Sequence, residues 1–175
     1  MKKLVSLLSL VLIIALAITA TAETVDPELV IPKSCTYEGS WLNFTDNAFY
    51  MYAPTDWQVM QELDQKVIDA GIISALTNAD KTQSLSIAWT EVPEELTVEQ
   101  IKEQITAAYT EVDVATINGV DFVSYTDASN NGFGAVCLDP NYYGMYTFHF
   151  TPIDEATQTI ALGMLLSINF YTPAE

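Results

Sequence analysis

His149 is the only histidine in the chain, and Cys35 and Cys137 are its only cysteines. A thiol beside an imidazole makes a nucleophile with its base, and Asp139 or Asp154 would supply a carboxylate to orient the ring. Strand pairing would bring Cys137 towards His149, but nothing in the spacing requires it, and no strained nucleophile turn surrounds Cys137. The alternative is a core cysteine and a surface histidine. The two cysteines also allow a disulfide. A Cys35–Cys137 bridge would close a loop of about 100 residues and contribute roughly 4–5 kcal/mol in a chain-entropy description. Two buried free thiols are the other possibility.

Metal chemistry has less to work with. One histidine and two distant cysteines form no zinc cluster. The run Asp127-Ala128-Ser129-Asn130-Asn131-Gly132 does imitate the first half of a calcium-binding loop, with oxygen donors at Asp127, Ser129 and Asn131 and glycine in sixth place. The twelfth position is Leu138 rather than glutamate, so a polar hairpin turn is the plainer reading. Among the 23 acids no carboxylate pair is singled out for glycoside chemistry; Glu94-Glu95 sits at a helix entrance, where acids favour the positive end of the dipole. No cofactor is expected. Aromatic side chains are the remaining candidates: Trp41, Tyr142 and Tyr143 fall at turns or strand ends, where such rings grip sugars or protein partners.

Composition narrows the partners. The chain carries 23 acidic residues against six lysines, a formal charge of −17, and no arginine. Without guanidinium groups and with this charge, nucleic acid, nucleotides and anionic lipid surfaces are poor partners. Lys2 and Lys3, the apolar run Leu4–Ile18 and the small residues Ala20-Thr21-Ala22 form a secretory leader with cleavage expected near Ala22. An uncleaved leader would be the chain's only expected hold on a membrane. The cleaved protein is expected to be exported, to the cell envelope or beyond.

These groups need elements to position them. Residues 23–36, with Pro27 and Pro32, read as a mobile N-terminal arm, and 37–175 as a single domain. Tyr37–Phe44 and Ala48–Ala53 read as strands about a Thr45-Asp46-Asn47 turn. Thr55 with Gln58 resembles a capping box, which predicts a helix carrying Met60, Leu63 and Val67 on one face and closing at Gly71. Strands follow at 72–77 and 83–92. Thr97 with Gln100 opens a helix to Tyr109, and Leu96 and Ile101 are placed to staple it. Strands over 112–117 and 120–125 flank an Asn118-Gly119 turn, and further strands lie near 133–138 and 143–151. Asp154 caps a final helix. This order predicts an α+β domain, an antiparallel sheet with helices packed on it.

Four stretches resemble one known family. They are Tyr50-Met51-Tyr52-Ala53-Pro54-Thr55-Asp56-Trp57, a strand followed by Pro-x-x-Trp; Ile117-Asn118-Gly119-Val120; the strand Tyr146-Thr147-Phe148-His149-Phe150; and a last helix reaching Leu166-Ser167-Ile168. Together they are similar to the PsbP-like superfamily, which includes the extrinsic PsbP subunit of photosystem II, a Ran-binding import factor and small exported bacterial proteins. The resemblance implies an α/β/α sandwich about a largely antiparallel six-stranded sheet, with a binding or assembly role and no catalytic residues to carry over. The expectation is therefore an exported, non-enzymatic module acting on a protein or cell-envelope partner. A carbohydrate- or calcium-binding accessory domain is the alternative. Intact-mass analysis of the exported protein should give a chain beginning at Glu23; a mass that retains the leader would identify an uncleaved anchor instead.

Overall fold

The computed structural model describes residues 28–173, so the expected leader lies outside the described residues, as does part of the arm. The elements in order are β1 (Gly39–Phe44), β2 (Phe49–Pro54), β3 (Gln58–Val59), α1 (Gln65–Asp69), β4 (Ile72–Thr77), β5 (Ser84–Glu91), α2 (Val98–Ala108), β6 (Thr110–Ile117), β7 (Val120–Asp127), β8 (Gly132–Leu138), β9 (Gly144–Thr151), α3 (Glu155–Leu166) and β10 (Asn169–Phe170).

A seven-stranded antiparallel sheet runs β3-β4-β5-β9-β8-β7-β6, and a smaller one runs β1-β2-β10. The α+β class and the sheet-with-helices arrangement are those expected. The large sheet has one strand more than expected, and the first two strands belong to the separate small sheet.

Alternation along β9 organises the layers. Tyr146, Phe148 and Phe150 are buried, while Thr147, His149 and Thr151 between them are partly open. The buried set packs with Leu85 and Ile87 of β5, Phe49 and Met51 of β2, and Ala161, Met164 and Ile168 along and just beyond α3. On the opposite face Val123, Tyr125 and Val136 pack against Ile101 of α2. The large sheet is thus the middle layer, with α2 on one side and α3 beside the small sheet on the other. Each fully buried aliphatic or aromatic side chain contributes about 1.5–3 kcal/mol by leaving water.

Local sequence explains the boundaries. The Thr97 hydroxyl accepts from the Gln100 backbone N–H at 3.3 Å, and the Gln100 side-chain oxygen accepts from the Thr97 N–H at 2.9 Å, completing the capping box. Asn118 and Gly119 both take positive φ, 47° and 84°, the geometry of a tight hairpin between twisted strands. Asp154 caps α3 by accepting from the Thr157 N–H at 2.7 Å.

The helix expected from Thr55 does not form there. Trp57 is buried in the core, its backbone N–H donating to Pro54 O, and Gln58–Val59 add to β4 opposite Leu76 and Thr77. Burying the indole and pairing with the sheet outweigh a weak local helix preference. A helix starts only at α1, capped by Asp64, whose carboxylate accepts from the Lys66 N–H. The described part of the arm is also held: Cys35 Sγ lies 3.4 Å from Gly163 O of α3, to which its S–H donates, and Tyr37 packs against the core.

Gly144 starts β9 because the Trp89 indole lies directly over it; a Cβ there would overlap the ring. The ring has little freedom to move, since its N–H donates to Asp139 Oδ2 at 3.0 Å. Gly144→Ala should therefore cost about 1–3 kcal/mol, the usual penalty of overpacking, read as a lower urea midpoint with an unchanged m-value.

Candidate functional site

The register of the large sheet separates Cys137 from His149. Cys137 pairs with Tyr146 and points into the core beneath α3, whereas His149 pairs with Gly134 and points to the other face. The Cys–His dyad is therefore not assembled. Burial, reinforced by the nearby Asp139, also pushes the Cys137 thiol well above its ordinary pKa, disfavouring a thiolate. Both cysteines are free thiols, Cys137 buried within β8 and Cys35 set against α3. The bridge considered from the sequence is not formed.

His149 instead meets the loop read as a possible calcium site. Its ring lies over Gly132, where any side chain would collide with it, and Nε2 stands 3.5 Å from Asp127 Oδ2. Asp127 is buried and caps a short 3-10 turn, Ala128–Asn130, accepting from the Asn130 backbone and side-chain N–H groups at 3.2 and 2.7 Å. Its carboxylate is engaged in holding the turn. Asn131 takes a left-handed conformation at the end of this turn, and Ser129 is exposed within it. Among the described residues no group of three or more His, Cys, Asp or Glu is placed to hold a metal. The side-chain amide of Asn130 chiefly holds the Asp127 carboxyl below its ordinary pKa; burial opposes it, and the Asn130 backbone N–H and His149 add smaller effects that lower it.

The aromatic candidates occupy different sheets. Trp41 is half-buried on the small sheet, edge-on to Tyr52 with ring centres 5.5 Å apart. Tyr142 and Tyr143 are exposed on the β8–β9 turn of the large sheet, beside a shallow groove of about 100 Å³ that also takes in Pro93 and Leu96. Asp139 braces this turn, accepting from the Asn141 N–H at 2.9 Å. Glu94 and Glu95 are exposed just before α2, and Glu94 lies on the wall of that same groove.

A larger recess lies elsewhere, where the 58–71 segment departs from the edge of the large sheet. Val59, Met60, Leu63, Ile68, Ile73 and Trp89 line a crevice of about 580 Å³, with Asp46 and Asn47 from the β1–β2 turn also on its wall. That volume falls within the range of ordinary ligand pockets. Val59, Met60, Ile68 and Ile73 are 38–48% exposed, so they form an open apolar surface rather than core. Beyond Val59 the edge of β4 has no strand partner among the described residues: β3 pairs only with Leu76 and Thr77, Met60 N–H reaches Ala75 O at 2.9 Å, and the Ile72–Ser74 stretch is bulged against β5. Sequence reasoning missed this surface because Met60, Leu63 and Val67 fit a helical stripe. The clue was a cluster of apolar residues (Val59, Met60, Ile68, Ile73) around a polar run that lacked a strong helix start.

Similar folds are known. The chain matches the solution structure of cyanobacterial PsbP (CyanoP) from Synechocystis sp. PCC 6803 with a TM-score of 0.52 and 14% identity, over 75% of this chain and 92% of that one. The fold is PsbP-like. A crystal structure from Bacteroides thetaiotaomicron VPI-5482 matches with a TM-score of 0.51 and 12% identity, covering 75% of this chain and 48% of that one. No protein-family model and no curated protein sequence matches. At such identities the likeness concerns the PsbP-like backbone alone, and the apolar crevice belongs to this chain's own side chains.

Because folding lowers the Asp127 pKa, its stabilisation is complete above the ordinary value of 3.8 and is lost as the pH falls through it towards the lower folded value. Asp127→Asn should therefore flatten the loss of stability on acidification through that range, measured by urea unfolding at a series of pH values. A slope identical to that of the parent protein would show that Asp127 does not carry this linkage.

Proposed function

We propose that the protein is an exported, non-enzymatic binding or assembly module that engages a protein or cell-envelope partner through the crevice beside β4. The observation carrying this reading is the open apolar surface of Val59, Met60, Ile68 and Ile73 around a formed recess. Contiguous exposed apolar surface of this kind marks interaction sites on water-soluble domains. Export is supported by the leader pattern of residues 1–22; among the described residues no helix is long and apolar enough to cross a membrane. The non-enzymatic part is supported by the placement of the chemically capable groups. Cys137 and His149 face opposite sides of the sheet, and Asp127 is committed to its turn.

Tyr142 and Tyr143 offer a second contact, since both rings stand out from a braced turn. The crevice has greater volume and more exposed apolar surface, so it is assigned the main role. A photo-crosslinking residue at Ile73, in protein expressed in its own host, should capture a discrete partner. The same residue at Lys102 of α2 should not. Equal labelling from both positions, or none from Ile73, would overturn the reading.

A further inference from the structure

Resting on that reading, we infer that the crevice receives an extended, basic segment of a partner protein, which adds as a strand beside Ile72–Ser74 and seats an aliphatic side chain against Met60, Ile68 and Ile73. Main-chain pairing along an exposed sheet edge supplies affinity, and a pocket for alternate side chains supplies selectivity. Both parts are present here. The edge of β4 continues past the two-residue pairing with β3, and the crevice opens directly alongside it.

Charge selects the occupant. Asp46 stands on the crevice wall, Glu62 lines the adjoining groove on the other side of β3, and Asp64 and Asp69 bound α1, with Lys66 and Lys81 the cations of that region. Across the chain 23 acids face six lysines. A second copy of the same chain would bring an equal negative charge to the edge and be repelled. A segment alternating Ile or Val with Lys or Arg would instead place its apolar side chains in the crevice and its cations against these carboxylates.

The test is selection of a displayed library of random twelve-residue peptides on the full exported protein, followed by anisotropy titration of the enriched sequences. The expected winners alternate aliphatic with basic residues. They should lose at least tenfold in affinity to Ile73→Lys and to Met60→Lys, and lose binding when a proline interrupts the alternation. Leu162→Lys, at an exposed apolar position on α3, should leave affinity unchanged, and circular dichroism of each variant confirms folding. Acidic or neutral winners, winners with helical spacing, proline-tolerant binding, or binding indifferent to both Ile73→Lys and Met60→Lys would overturn the inference. So would a dimer in light scattering that the same two substitutions dissolve. In each of these cases a site-specific crosslink from Ile73 to a partner would leave the broader binding reading intact, and absence of that crosslink would remove the broader reading independently.

Discussion

The register of β9 between β5 and β8 decides which way the side chains of the large sheet's centre face. Leu85, Phe133 and Phe150 stand opposite one another across three strands, as do Ile87, Ala135 and Phe148. A slip of one residue would send Tyr146, Phe148 and Phe150 to the face now occupied by Thr147, His149 and Thr151. The core beneath α3 and the small sheet would lose its aromatic centre, where Phe49 meets both Tyr146 and Phe148 edge-on. Ring contacts of this kind between the two sheets add to plain burial and are available only in the native register. The same register places Cys137 with the core and His149 away from it, so the separation of the two groups most capable of catalysis follows from how the sheet is packed.

Polar groups finish what the core begins. Asp154, Asp127 and Thr97 each satisfy backbone N–H groups that would otherwise lack partners at the start of a helix or turn. Asp139 holds the Trp89 indole over Gly144 and also braces the Asn141 turn, coupling an aromatic of β5 to the loop that presents Tyr142 and Tyr143. Several of the acids that dominate the composition therefore have structural work. The other acids among the described residues are exposed and give the surface its negative field.

Local patterns with one strong physical meaning were legible in the sequence. The Thr97–Gln100 box, the Asn118-Gly119 turn, the alternation along β9 and the Asp154 cap each describe a short-range preference that the packed structure also favours. The segment after Pro54 was not legible, because its local signal and its tertiary role conflict. Thr55 and Gln58 suggested a cap, but burial of Trp57 and pairing of Gln58–Val59 with β4 required extended chain. β10 is two residues long, too short for any periodicity, and it exists because the chain leaving α3 runs beside β2, where the Ser167 hydroxyl accepts from the Tyr52 N–H at 2.8 Å. The crevice was hidden for the same reason as β3: Met60, Leu63 and Val67 have helical spacing, and only the fold turns Met60 and its neighbours outward. Trp41, Tyr142 and Tyr143 were identifiable as aromatics near turns, yet sequence could not tell that Trp41 would lean on Tyr52 while the two tyrosines stood free of the core.

An exposed apolar sheet edge is ordinarily a hazard, because it offers pairing to any extended chain, including another copy of itself. Both β4 and β6 are bulged, but β6 carries Glu111 and Asp113 at its bulge whereas β4 presents Ile72 and Ile73 beside a crevice, and these two treatments call for different explanations. Blunting is the general solution; retaining an apolar edge requires some other safeguard against self-association. The negative field of the chain provides one, since it opposes contact between copies at every orientation while leaving approach by a basic segment favourable. On this argument the acidity and the apolar crevice are parts of a single arrangement: charge determines which chains approach, and the edge with its aliphatic pocket determines which of them remain.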